Sequence, residues 1–142
     1  MRPRHPLFLM LGTCLAGGML GALAGSVALW AAGAYGLADW AGVALHPKLA
    51  WPWLRPRLLW GGLWGIGFVP VAWAGSRRLL TWGILYGLLP SAVQLFYVFP
   101  ELLGKGTLGA ALGSLTPAFV IGANAVYGWV LALWVRMSVT YR

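Results

Sequence analysis

The sequence predicts an all-α integral membrane protein, with four transmembrane helices in one compact bundle that forms a single domain over residues 1–142. The first observation is the stretch 7–38, which contains no Asp, Glu, Lys, Arg or His and exceeds the roughly twenty apolar residues that span a bilayer. Three further apolar stretches follow. Moreover, only 8% of the residues are charged, against roughly 25% in soluble domains, so the surface is expected to face lipid.

Four spans are expected in order along the chain. The first covers residues 7–32, or 7–37 in its longest form, and the long form exceeds a hydrocarbon core of roughly 30 Å, so it must tilt or emerge from the membrane. The second covers 58–74, and the third covers 79–99, closed by Pro100 and Glu101. The fourth covers about 108–135, with Pro117 expected to kink it near its start, as Pro90 does in the third.

The segment 40–57 is rich in tryptophan and proline. Its three prolines are expected to break any regular helix, and its three tryptophans and three cations suit the headgroup layer. We therefore expect a collar on the membrane surface, which either sets helix depth or forms a docking surface or lid over a lateral cavity. The collar residues are Trp40, Trp51, Trp53, Arg55 and Arg57.

The distribution of cations predicts the orientation. The N-terminus, the second loop and the C-terminus hold six arginines, whereas the first and third loops hold four cations and both acidic residues. By the positive-inside rule, both termini are expected in the cytoplasm, in a bacterial inner membrane. The net charge of +8 is spread over the loops, which favours lipid headgroups as partners and not nucleic acid.

Small residues recur every four positions in each predicted span. This spacing places glycines on one helical face, where two backbones can approach closely. The strips are expected to pack within one chain or against another chain, and the first span is the best candidate for the latter. The helix-packing candidates are Gly17, Gly21, Gly25, Gly61, Gly65, Gly83, Gly87, Gly109 and Gly113.

Two amides are the most informative polar residues within the spans. Gln94 and Asn124 are expected at similar depth, because they lie about sixteen and twelve residues from their basic flanks at 1.5 Å each. A hydrogen bond between them would fix the register of the two helices. Lining of a substrate path and bonding to a partner subunit are the alternatives.

No set of residues supports catalysis or a cofactor. The predicted spans hold no charged residue or histidine, the two histidines are expected on opposite faces, and Cys14 is the single cysteine. A metal site needs clustered ligands, and a nucleophile needs a nearby base. We therefore expect a protein that is not an enzyme and that carries no cofactor or metal.

One segment resembles a known family. Trp51-Pro52-Trp53, Pro56 and the run 60–64 resemble the tryptophan-rich translocator-protein family, which has five spans and binds porphyrins and sterol-like ligands. The resemblance covers under a fifth of the chain, and four spans are expected here. The resemblance implies a five-span fold and a porphyrin or sterol-like ligand, and it rests on this segment alone.

The expected function is that of an accessory or structural subunit that packs against other helices of a larger membrane complex. The short loops, the glycine strips and the lack of a catalytic set favour this interpretation. The alternative is a small transporter, channel or hydrophobic-ligand-binding protein that acts as a homo-oligomer. In that case Gln94, Asn124, Pro90 and the tryptophan collar would line the path.

Overall fold

The computed structural model describes residues 5–75 and 77–139, which are helical and contain no strand. Three helices in this part of the chain are long and apolar enough to cross a membrane: Leu7–Ala34, Leu79–Leu102 and Thr116–Ser138. The all-helical prediction and the expected association with a membrane are confirmed to this extent.

The second of these three helices changes its winding along its length, and shorter helices connect the others. The elements are α1 (Leu7–Ala34), α2 (Leu37–Trp40), α3 (Trp51–Gly67), α4 (Val69–Ala74), α5 (Leu79–Tyr86), α6 (Leu88–Val93), a π-helix (Gln94–Leu102), a 3-10 helix (Thr107–Leu112) and α7 (Thr116–Ser138).

Helix α1 lies at the centre and packs along α3 on one face and along α7 on another. The face toward α7 carries Gly17, Gly21 and Gly25, and a Cβ atom on Gly21 would lie 2.5 Å from the carbonyl oxygen of Tyr127. The face toward α3 carries Gly18, whose added Cβ would collide with the backbone of Gly61. Only glycine permits such close backbone approach at these positions.

The remaining helical strips are also occupied within the chain. Gly65 of α3 packs on the backbone of α1, and Gly83 and Gly87 of the third long helix pack on the backbone of α7 at Gly128 and Asn124. These glycines therefore make contacts between helices of one chain.

The predicted fourth span begins too early. Residues 104–113 do not continue a membrane helix, because Gly104, Gly106, Gly109 and Gly113 all have positive φ, and so does Leu108 at 61°. A right-handed helix excludes this conformation. Gly109 and Gly113 are therefore loop glycines, and α7 begins only at Thr116.

Pro117 does not kink the helix. It stands in the first turn of α7, where the missing N–H has no partner to lose.

The prediction that prolines break the segment 40–57 is wrong over its last part. Helix α3 begins at Trp51 with Pro52 in its first turn and Pro56 inside it. Pro52 costs nothing there, because the first N–H groups of a helix have no intrahelical acceptor. The break comes later, at Phe68 between α3 and α4, because Pro70 cannot donate to the carbonyl group of Ile66.

The third long helix departs from α-helical winding at two places. It breaks after Tyr86. The carbonyl group of Tyr86 receives no α-helical hydrogen bond, because the residue four positions later is Pro90, which has no N–H. The hydroxyl of Ser91 donates to the carbonyl oxygen of Gly87 at 2.8 Å, as one-turn back-bonding predicts. From Gln94 the helix widens into a π-helix, so it ends at Leu102 and not at the predicted Phe99.

Two tyrosines hold α3 against the other helices. The hydroxyl of Tyr127 donates to the carbonyl oxygen of Gly61 at 2.8 Å, and that of Tyr86 donates to the carbonyl oxygen of Trp64 at 2.5 Å. The ring of Tyr86 also lies 5.2 Å from that of Phe68 in edge-on contact. Helix α3 is therefore joined to α7 and, further along, to α5.

The two long connections meet at one end of the bundle, which we call the long-loop end (residues 35–50 and 103–115). The amide of Ala44 donates to the carbonyl oxygen of Leu112 at 2.8 Å, and Gly33 packs on the backbone at Leu45. His46 Nε2 lies 2.8 Å from an Asp39 carboxylate oxygen. These contacts place both connections over the ends of α1 and α7.

Candidate ligand cavity

A cavity of about 380 Å³ opens inside the helix bundle, and we call it the inner cavity. Its walls come from α1, α3, α6, the π-helix and α7, with Trp60, Trp64 and Tyr127 among the large side chains. The volume falls in the range of about 300–1,000 Å³ typical of ligand pockets.

A second cavity of about 310 Å³ lies at the long-loop end, and we call it the loop cavity. Its lining includes His46 from the first connection and Lys105 from the second, together with apolar residues such as Leu29 and Phe99. This cavity lies between the helix ends and the two long connections.

Arg57 and Gln94 line both cavities. They therefore form the partition at which the two spaces meet, with a guanidinium contributed by α3 and an amide contributed by the first residue of the π-helix. π-Helical turns are rare and are frequent at functional sites. The pair places a charge and an amide where the two cavities meet.

The guanidinium of Arg57 points into the bundle. Its Nε donates to the hydroxyl of Ser26 on α1 at 2.8 Å, and its Cζ lies 4.8 Å from the centre of the Trp53 ring. Ser26 is fully buried. Arg57 was expected in the surface collar; helix α3 begins six residues before it, at Trp51, and directs its side chain toward α1.

The guanidinium of Arg57 lies well inside the bundle, away from the neighbouring ends of α1 and α3. Ser26 precedes the end of α1 at Ala34 by eight residues, about 12 Å, and Arg57 follows the start of α3 by six residues, about 9 Å. Charged side chains within membrane-spanning helices are costly and usually functional. The predicted second span begins at residue 58, directly after Arg57, and the absence of charge from the spans stays a prediction.

Most donors of Arg57 have no partner among the residues that the structure describes. An arginine carries five N–H donors, and within residues 5–75 and 77–139 the Ser26 bond is the hydrogen bond that its guanidinium makes. The four donors on Nη1 and Nη2 remain for a group inside the cavities. A guanidinium in this state can bind a carboxylate or phosphate through two parallel hydrogen bonds.

The two predicted amides face the same space without bonding each other. Gln94 and Asn124 both line the inner cavity, and both are half-buried. In the described part of the chain, the hydrogen bonds include none between the two side chains. The expected staple is therefore absent, and the alternative of a polar lining fits their positions.

The inner cavity has a lateral mouth between α3 and the third long helix. Its rim carries Trp60, which is 65% exposed, and Val93 and Tyr97, which are also exposed. Further from the long-loop end, the contacts of Tyr86 with Trp64 and Phe68 close the gap between α3 and α5. A ligand could therefore enter sideways from the lipid phase.

Three of the other collar residues stay outside. Trp40 is 84% exposed, Trp51 and Arg55 are also exposed, and Trp53 is half-buried beneath Arg57. The collar therefore divides into an outward part and an inward pair, Trp53 and Arg57. A usable signal was the proline at position 52, because proline favours the first helical turn and so predicts a helix that already includes Arg57.

Ser26 and Tyr127 were not among the sequence-based candidates. The pattern that could have found Ser26 is its place on the small-residue side of α1, between the helix-contacting Ala22 and Leu29, which are also buried. Nothing in the pattern indicates which cation it meets, because Arg57 is 31 positions away.

The arrangement combines a few polar groups with apolar and aromatic walls. The side chains that line the two cavities include cations, amides and aromatic rings but no carboxylate or cysteine. Comparisons with protein-family models, with curated proteins and with solved structures each find no match to the chain.

Proposed function

We propose that this protein is a non-catalytic membrane protein that binds an amphiphilic ligand taken up laterally from the lipid phase. The observation that carries the proposal is Arg57, a charge held between two cavities with most of its donors free. A half-buried charge without an ionic partner is costly. A polar headgroup at Arg57, with its apolar part in the inner cavity, would remove that cost.

The proposal includes a four-span bundle. The broken helix formed by α3 and α4 would be the fourth crossing, in addition to the three long helices. Both termini would lie in the cytoplasm of a bacterial cell and the long-loop end would face outward, because the arginines concentrate at the other end. The loop cavity would then open on the outer face of the inner membrane.

This topology predicts a labelling pattern. In a Cys14→Ala background, Lys48→Cys should react with a membrane-impermeant maleimide added to intact cells, whereas Met137→Cys should react only after the cells are opened. Both native side chains are exposed, so burial would not cause a difference. Labelling of position 137 alone in intact cells would reverse the orientation, and labelling of both would rule out an even number of spans.

An accessory subunit of a larger complex is the second proposal. The glycine strips that favoured it are occupied by contacts within the chain, as at Gly21 and Gly65. What still supports it is the scarcity of polar surface, because most of the exposed side chains on the long helices are apolar. Such a surface suits lipid and other membrane helices equally.

One experiment separates the two proposals. The chain is extracted from its native membrane in a mild detergent, sized on a native gel and analysed by native mass spectrometry. We expect a monomer or homo-oligomer that retains a lipid-sized adduct after bulk detergent is removed. Stoichiometric foreign subunits with no adduct would favour the accessory role and contradict the binder.

A matched pair of variants tests whether an adduct occupies the inner cavity. Asn124→Leu removes a polar lining group and places a branched side chain there, so adduct occupancy should fall several-fold. Val126→Leu is the control, since Val126 is on the same helix, is exposed and does not line either cavity. Equal loss in both variants, or in neither, would place the adduct elsewhere.

A further inference from the structure

The two cavities differ in chemistry on either side of Arg57. The inner cavity offers apolar and aromatic walls with two amides, and among the residues that the structure describes Arg57 is the one charged group that lines it. The loop cavity adds Lys105 and His46 to Arg57. A ligand that satisfies both must have an anionic end at the loop cavity and an apolar end in the inner cavity.

No lining residue carries a negative charge to compete with such a ligand. The acidic residues of the sequence are Asp39 and Glu101, and neither lines either cavity. Asp39 lies against His46 at 2.8 Å, so it can orient that ring from the side. Arg57 and Lys105 therefore meet no carboxylate within the lining of the loop cavity.

The number and kind of donors favour phosphate over carboxylate. A carboxylate has two acceptor oxygens and is satisfied by one guanidinium in bidentate contact. The loop cavity brings together a guanidinium, an ammonium and the amide of Gln94, which is a richer set of donors. A phosphate group, with three strong acceptor oxygens and up to two charges, can use all of them.

We propose that the ligand is a lipid with a phosphate headgroup, whose phosphate lies in the loop cavity at Arg57 and Lys105 and whose hydrocarbon chain lies in the inner cavity. This inference rests on the proposed function and specifies its ligand. The lateral mouth at Trp60 and Tyr97 admits the chain from the bilayer. Arg57 marks the boundary between the headgroup and chain portions of the site.

The test uses the purified full chain in a neutral maltoside detergent, titrated with lipids and read by native mass spectrometry. The probes are dipalmitoyl phosphatidic acid, dipalmitoylglycerol, palmitate and inorganic phosphate. We expect phosphatidic acid to bind at least about tenfold more tightly than dipalmitoylglycerol, which has the same chains and lacks the phosphate. Inorganic phosphate should bind far more weakly, because it leaves the inner cavity empty.

Paired variants connect that preference to the two cations. Arg57→Gln and Lys105→Gln should each reduce the preference for phosphatidic acid about tenfold while leaving the binding of dipalmitoylglycerol nearly unchanged. The controls are Arg55→Gln and Lys48→Gln, which neutralise exposed neighbours that line neither cavity. Equal losses in variants and controls would indicate general surface attraction and would overturn the inference.

The outcomes distinguish this inference from the function on which it rests. If dipalmitoylglycerol binds as tightly as phosphatidic acid and Asn124→Leu weakens both, the amphiphile binder stands and the phosphate site is wrong. If palmitate binds as tightly as phosphatidic acid, the headgroup is a carboxylate and the inference fails. If inorganic phosphate competes at equal affinity, the site binds a free anion, and if no probe binds, both proposals fail.

Discussion

Replacing Gly128 with alanine will destabilise the bundle by about 3 kcal/mol, the upper end of the usual cost of overpacking. An added Cβ would collide with the carbonyl oxygen of Gly83 and lie 2.7 Å from its carbonyl carbon. These are backbone atoms, so no rotamer change can relieve the collision. Helix α5 would have to move away from α7. The loss should appear as a lower melting temperature and as aggregation in size-exclusion chromatography after heating in detergent.

Gly122 supplies the matched control for this prediction. It lies on the same helix, and a Cβ there would meet nothing within 4 Å. Gly122→Ala should therefore be neutral or slightly stabilising, because alanine favours a helix over glycine by up to about 1 kcal/mol. Gly18 and Gly12 offer a second pair on α1 with the same contrast. Similar melting temperatures for Gly128→Ala and Gly122→Ala would contradict the packing of α5 on α7.

Replacing Arg57 with methionine will stabilise the ligand-free protein while it removes most of the preference for the phosphate-bearing ligand. Methionine is long and flexible enough to fill the same space, and it removes a charge from an apolar setting. Replacing buried ionic groups with apolar side chains of similar volume is often neutral or stabilising by about 1–4 kcal/mol, and we expect about 1 kcal/mol here. Ser26, which loses its partner, can donate to a carbonyl group one turn back on its own helix.

The measurement is denaturant or thermal unfolding of delipidated protein in neutral detergent, with Arg55→Met as the control. Arg55 is exposed, so its replacement should change the free energy of unfolding little. A marked loss of stability in Arg57→Met alone would mean that the Arg57–Ser26 bond holds α1 to α3. Arg57 would then be a structural residue, and the strongest support for a ligand site would disappear.

The glycines illustrate how far spacing in the sequence predicts the packing of helices. The small-residue spacing of Gly17, Gly21 and Gly25 was sufficient to predict a close helix contact, although not that α7 would be the partner. The same spacing misled at Gly109 and Gly113, where the glycines instead allow positive φ. Spacing alone cannot distinguish these two uses of glycine, since both follow from the missing Cβ.

Proline caused the other main difference between expectation and structure. Pro52 and Pro117 stand in first turns and begin helices, whereas Pro70 and Pro90 interrupt them. The residue is the same in each case, and its effect depends on whether an N–H was needed there. Because Pro52 stands in the first turn of α3, the helix begins before Arg57 and includes it.

The sequence by itself determined the all-helical class and the length and apolar character of three helices that could cross a membrane. Long uncharged stretches and few charges require lipid around helices, because backbone groups in a bilayer must bond within their own segment. Only the tertiary structure decided that Arg57 turns inward to Ser26, and that Gln94 and Asn124 face one cavity instead of each other. Hydropathy and helical periodicity are local properties. The meeting of side chains 31 positions apart depends on how one helix rotates and slides against the next.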